Sequence, residues 1–257
     1  MTKHILMIHG VGCGGDAFDD LRPHFESEGW ICSAPTLFPN LRTVEVPPAE
    51  IADLRFNDYI EECTRWANEI KQETGERPIV FGHSMGALLT QKLAERGVIA
   101  AGVLITPAQP KDCSVNDPRV FRTFWNILKH GLKKAERMGH KVGKKGLAYG
   151  VWNRTPKDQH DALYALARHD SGGVYMDLLK GVELDESKID VPTLTICAAK
   201  DRATVPRAVR KLRDKLKRAA VPGDYIEYPE SAHWIIGEPD VKNLCSDIME
   251  WLSKKAA

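Results

Sequence analysis

A serine hydroxyl becomes a useful nucleophile only when a base takes its proton, and that base needs an acid to orient it. The sequence offers all three residue types, each placed just after a short apolar run. Ser84 stands in Gly82-His83-Ser84-Met85-Gly86, which follows Ile79-Val80-Phe81 and precedes a segment of helical character reaching about Arg96. This G-x-S-x-G pattern suits a turn so sharp that side chains on either side of the nucleophile would collide with adjacent chain. Asp201 follows Thr193-Leu194-Thr195-Ile196-Cys197, and His233 follows Tyr225–Tyr228. In this reading Ser84 attacks, His233 acts as base, and Asp201 fixes the imidazole tautomer.

A tetrahedral intermediate carries an oxyanion that needs preorganised donors. The N–H of Met85, directly after the serine, is one candidate. The glycine-rich stretch His9-Gly10-Val11-Gly12 follows the first apolar run and supplies the other, Val11 ahead of Gly12. A phosphate-binding loop is disfavoured there, because no Walker lysine follows.

These loops need strands to hold them. Ile5–Ile8 reads as a buried strand, and Trp30–Ala34, Ile79–Phe81, Val103–Ile105, Thr193–Cys197 and Tyr225–Tyr228 as further short strands, alternating with segments of helical period such as Ile51–Glu73. That rhythm predicts an α/β fold: a mostly parallel sheet of about six strands covered by helices on both faces. It is interrupted after Ile105. Phe121, Trp125, Leu128 and Leu132 form a stripe at helical spacing, and Thr155-Pro156-Lys157-Asp158 reads as an N-cap opening a helix through Leu166. Residues 1–107 and 181–257 are therefore expected to form the core, and 108–180 a helical cap.

The 257 residues, 43% hydrophobic and 28% charged, suit a globular chain able to bury a full core. A formal net charge of +1 gives no global attraction to nucleic acid or anionic membrane. No apolar run is long enough to span a bilayer, and no secretory signal precedes the first strand. Six scattered cysteines lack CxxC or zinc spacing, which favours a reduced cytoplasmic protein without disulfides. No cluster has metal-ligand spacing, so neither metal nor cofactor is expected. His24, His130, His140, His160 and His169 have no partner that the sequence identifies.

Taken together, the GHSMG elbow, the HG loop and the order Ser, Asp, His resemble the α/β-hydrolase superfamily, in its esterase and lipase-like branch. The resemblance covers roughly residues 4–107 and 184–255, and implies that 108–180 is the lid. A serine at the elbow sets the chain apart from the aspartate-nucleophile branch. The first strand corresponds to the family's third, so the usual leading hairpin has no counterpart. The resemblance implies a carboxylic-ester hydrolase acting through an acyl-enzyme on a small-molecule ester or acyl substrate. Thioester or carbon–carbon chemistry on the same triad, and a non-catalytic ligand-binding relative, remain open beside it.

Two features of the cap bear on substrate. Trp234 beside the base, Trp125 and Gly12 are the candidates for pocket lining, and Cys13 could face the site. From Lys129 to Lys145 seven basic side chains stand against one acid, Glu136. A solvated face is the favoured reading, ahead of steering of acidic substrates.

Overall fold

The computed structural model describes residues 3–129 and 131–255, so His130 falls outside it. Eight strands occur among these residues: β1 (His4–Ile8), β2 (Ile31–Ser33), β3 (Ile79–His83), β4 (Ala101–Ile105), β5 (Gly139–His140), β6 (Asp170–Ser171), β7 (Thr193–Ala198) and β8 (Asp224–Tyr228). Six form one sheet in the order β2-β1-β3-β4-β7-β8, with every pairing parallel. The predicted fold class is thus the one observed. β1, β3, β4 and β7 are buried throughout, which is why they read as unbroken apolar runs rather than alternating ones.

Alternation still decides which layer each side chain joins. Leu6, Ile8, Val80 and Leu104 pack with the helices Phe56–Thr74, Met85–Glu95 and Pro206–Leu216. Ile5, Met7, Phe81, Val103 and Ile196 face the other way, onto Phe25 and the helix Val241–Lys255. The sheet is therefore the middle of three layers.

Register positions the chemistry. Ile8 pairs with Gly82, and His83 with Ile105, so the loops after β1, β3 and β4 leave from one edge. The chain goes from β1 to β2 on one side and then crosses to β3 on the other. Such a reversal opens a crevice at the carboxyl ends of the strands, where ligands bind in open α/β sheets. His9 and Ser84 both stand there.

Residues between β4 and β7 depart from the sequence reading. The stripe Phe121–Leu132 is not one helix: short helices Pro118–Thr123, Trp125–Leu128 and Leu132–Ala135 are separated where Phe124 leaves helical geometry (φ −101, ψ 15) and where Gly131 takes φ +77. Phe121 and Trp125 consequently face outward, 45% and 62% exposed, while Thr123 and Ile127 turn inward. Thr155 does not cap the next helix. A 3₁₀ turn, Lys157–Gln159, precedes His160–Leu166, and the buried Thr155 hydroxyl has no hydrogen-bond partner among the described residues. The antiparallel pair β5–β6 was not foreseen, because two residues per strand carry no periodicity. No described helix is long and apolar enough to cross a membrane.

Candidate active site

Ser84 links β3 to the helix Met85–Glu95 with φ 56 and ψ −118, a conformation that L-residues adopt only when surroundings enforce it. Its N–H donates to the Ile105 carbonyl at 3.0 Å, and its own carbonyl accepts from Ala87 (3.0 Å) and Ala108 (2.9 Å). The flanking glycines are sterically required. A Cβ on Gly86 would run into the Ile8 carbonyl oxygen, and one on Gly82 into Gly86 and Thr90. Across the gap, a Cβ on Gly10 would lie 2.9 Å from the Ser84 Cβ, so the His9-Gly10 loop closes directly against the serine. Among the described residues the Ser84 hydroxyl makes no hydrogen bond and opens onto a cavity shared with His233. Hydrogen bonds of this kind commonly tighten only once substrate is in place.

His233 is held from several directions. Its Nδ1 lies 2.8 Å from Asp201 Oδ2, and Asp201 Oδ1 accepts the N–H groups of Ala203 (2.7 Å) and Thr204 (2.9 Å). The Thr204 hydroxyl has one proton for two acceptors, Asp201 Oδ2 at 2.7 Å and the Thr106 carbonyl at 3.0 Å. The His233 carbonyl receives His83 Nε2 (2.9 Å) and the Thr106 hydroxyl (3.1 Å). One residue earlier, the Ala232 N–H donates to the buried Glu238 carboxylate. Burial raises the Glu238 pKa, and this N–H partly opposes the rise. Pairing of Nδ1 with Asp201 assigns the proton to that nitrogen and leaves Nε2 as the acceptor. Asp112, in the turn beyond β4, pairs with Lys215 at 2.7 Å instead of approaching His233.

The two oxyanion-loop candidates separate clearly. The Gly12 N–H donates to Asp170 Oδ2 at 3.0 Å and is therefore committed elsewhere. The Val11 N–H has no acceptor among the described residues. Met85 is the first residue of its helix, where N–H groups lack intrahelical partners. Behind the loop, His9 Nε2 accepts the Leu37 N–H at 3.1 Å and Nδ1 meets the Gly10 carbonyl at 2.9 Å. Burial, reinforced by the Arg42 charge, lowers its pKa to about 3 and keeps the ring neutral.

The observation that fixes the family is a match over residues 5–241 to the model described as the alpha/beta hydrolase family. The chain belongs to the α/β-hydrolase family. Solved structures with the same fold include polyneuridine aldehyde esterase (16% identity, covering 97% of this chain and 99% of that one, TM-score 0.70). Others are a methylesterase from Arabidopsis (15%, 97% and 98%, 0.70) and a monoacylglycerol lipase from Paleococcus ferrophilus (18%, 97% and 93%, 0.66). At such identities the likeness is one of fold. No curated protein sequence matches the chain.

Two apolar cavities meet at Ser84 in this α/β-hydrolase. One, of about 80 Å³, is lined by His83, His233, Trp234, Trp152, Gly12 and Cys13. The other, of about 220 Å³, is lined by Met85, Ala108, Tyr175, Met176, Val205 and Phe121. Val11, Ser84 and Phe124 border both. Trp234 and Gly12 line the first of these cavities, whereas Trp125 lines neither because the helix break turns it to solvent. Burial pushes the Cys13 thiol up to about 12, so it stays protonated and serves as apolar wall. Sequence reasoning missed Thr106, Thr204, Glu238, Arg42 and Asp170. Only Thr204 carried a local signal, three residues after Asp201 in a turn that its carboxylate caps.

Proposed function

We propose that the chain is a serine hydrolase of carboxylic esters, with an acyl-enzyme on Ser84. The observation that carries the reading is the Asp201–His233 pair at 2.8 Å, opening on the same cavity as a serine held at positive φ. His233 Nε2 takes the Ser84 proton as Oγ adds to the ester carbonyl. The N–H groups of Val11 and Met85 receive the oxyanion, and His233 returns the proton to the departing alkoxide. Water, deprotonated by the same imidazole, then attacks the acyl-enzyme, and collapse of the second intermediate releases the acid and restores Ser84. Asp201 keeps the proton on Nδ1 throughout and offsets the transient imidazolium charge.

Residues 108–180 act as the lid over this site, and the substrate is a small molecule. The apolar walls of both cavities support an uncharged ester with apolar groups on either side of its carbonyl. The test is steady-state and pre-steady-state hydrolysis of p-nitrophenyl esters of increasing chain length beside acyl-CoA thioesters. The reading predicts turnover of the neutral esters, with a p-nitrophenolate burst of one equivalent wherever deacylation is slower than acylation. Thioester turnover without ester turnover would replace the substrate class, and no turnover of either would remove the activity.

A further inference from the structure

Resting on the hydrolase reading above, we propose that Asp170, together with Arg42, is the positioning group of the oxyanion loop, so that a carboxylate carried by the 108–180 segment sets the donor geometry at Ser84.

Both side chains are fully buried, and their charges lie 2.8 Å apart. Asp170 Oδ2 accepts the Gly12 N–H (3.0 Å) and the Arg42 guanidinium. Its Oδ1 accepts the Tyr59 hydroxyl (2.5 Å) and the Ser171 N–H (3.0 Å). Arg42 donates onward to the Cys13 carbonyl at 3.0 Å and the Leu37 carbonyl at 3.2 Å. One residue pair from outside the loop therefore grips it at both Gly12 and Cys13. A third tie completes the grip: the Arg168 N–H donates to the Gly12 carbonyl at 2.8 Å. Gly12 itself sits at φ +67, a conformation that only these restraints and its lack of a Cβ make cheap.

Stability alone is a poor reason for this arrangement. Desolvating two charges costs about as much as their attraction returns, and apolar replacements of buried pairs are often neutral or better. What the pair supplies is direction. Fixing the Gly12 N–H on Asp170 holds the peptide immediately after Val11 and leaves the Val11 N–H, which has no acceptor among the described residues, as the donor available to an oxyanion. Burial alone would raise the Asp170 pKa, but the Arg42 charge and the hydrogen bonds outweigh it, so the carboxyl stays ionised.

The test compares two variants with the same charge. Arg42→Met/Asp170→Val removes the acceptor for Gly12, whereas Arg42→Met/Asp170→Asn keeps an amide oxygen in its place. On p-nitrophenyl butyrate the valine variant is expected to lose on the order of 10²–10³ in kcat, the scale of one oxyanion donor. Its KM should stay within about threefold, since ground-state binding is not involved. The asparagine variant should recover to within about tenfold of wild type, and a trifluoromethyl ketone should bind more weakly in step with kcat. Equal kcat in the two variants, or a change confined to KM, overturns the proposal. Should the valine variant not fold, Arg42→Lys keeps the charge but drops the bond to the Cys13 carbonyl. It should lower kcat by roughly tenfold at constant KM, and an unchanged kcat would overturn the proposal equally. A wild type inactive on every ester overturns the hydrolase reading itself, whereas failure of the variant comparison in an active enzyme overturns only the role of Asp170.

Discussion

The imidazole of His83 donates through Nε2 to the backbone carbonyl of His233 at 2.9 Å, with the two rings 4.9 Å apart between centroids. The elbow residue that the motif leaves open thus supports the loop carrying His233. Burial, with the neighbouring His233, lowers the His83 pKa from 6.5 to about 3, and His9 is lowered to about 3 by burial and Arg42. A depressed folded pKa leaves stability intact above 6.5. As pH falls below that, the unfolded chain binds protons that the folded chain refuses, and stability is lost down to about 3. Each histidine should add ~1.4 kcal/mol per pH unit of slope inside that window. Urea unfolding between pH 4.5 and 6 should therefore give a slope smaller by that amount in His83→Gln, which preserves the donor to His233. An unchanged slope would contradict the buried neutral assignment.

Positive φ does not make every glycine equally necessary. Gly97 has φ +67 with open space around it, whereas Gly86 is wedged against the Ile8 carbonyl. Gly97→Ala should cost about 1 kcal/mol, the price of a left-handed alanine. Gly86→Ala should cost about 3 kcal/mol or more, because backbone must move to admit the methyl. Thermal unfolding of the two variants checks the ranking.

Legibility in the sequence followed locality. The six strands of the sheet and the sharp turn at Ser84 could be read because each is written in a few consecutive residues. The boundary of the helix Phe56–Thr74 was less clear, since Ile51 and Leu54 continue the apolar spacing although Ile51 lies in a separate 3₁₀ turn, Ala49–Asp53, that ends at Leu54 (ψ 135). Trp125 was misplaced because the pattern does not record the break at Phe124. The Asp170–Arg42 pair joins residues 128 positions apart, and neither has neighbours that mark it. Long-range polar pairs leave no periodic trace, and they account for most of what was missed.

The basic run divides in two. Lys141 lies over the Tyr164 ring, 4.7 Å from its centroid, and Lys144 pairs with Asp161, while Lys129, Lys133, Lys134 and Lys145 are exposed. Reversing the four exposed lysines to glutamate should leave kcat/KM for a neutral ester unchanged. An anionic ester should respond little at physiological salt, where the screening length is about 8 Å. A selective loss for the anionic ester that shrinks as salt rises would assign steering to this face.

Asp201→Asn keeps the shape of the pair but favours the wrong imidazole tautomer, and kcat should fall by roughly 10⁴. Thr204→Val, which removes the hydroxyl contacts to Asp201 Oδ2, the Thr106 carbonyl and His233 Nδ1 but leaves the Thr204 N–H on Asp201 Oδ1, should cost about 1–2 kcal/mol of stability and far less rate. Kinetics and melting of the two variants, measured side by side, separate the acid from its support. Activity within tenfold of wild type in Asp201→Asn would place the acid elsewhere.

The central claim is that Ser84 is a nucleophile activated by His233, and intact-protein mass after treatment with a fluorophosphonate tests it most directly. One adduct per wild-type chain, mapped to Ser84, is expected, with no adduct in Ser84→Ala and greatly slowed labelling in His233→Ala. A wild-type chain that stays unmodified, or an adduct that persists in Ser84→Ala, would contradict it.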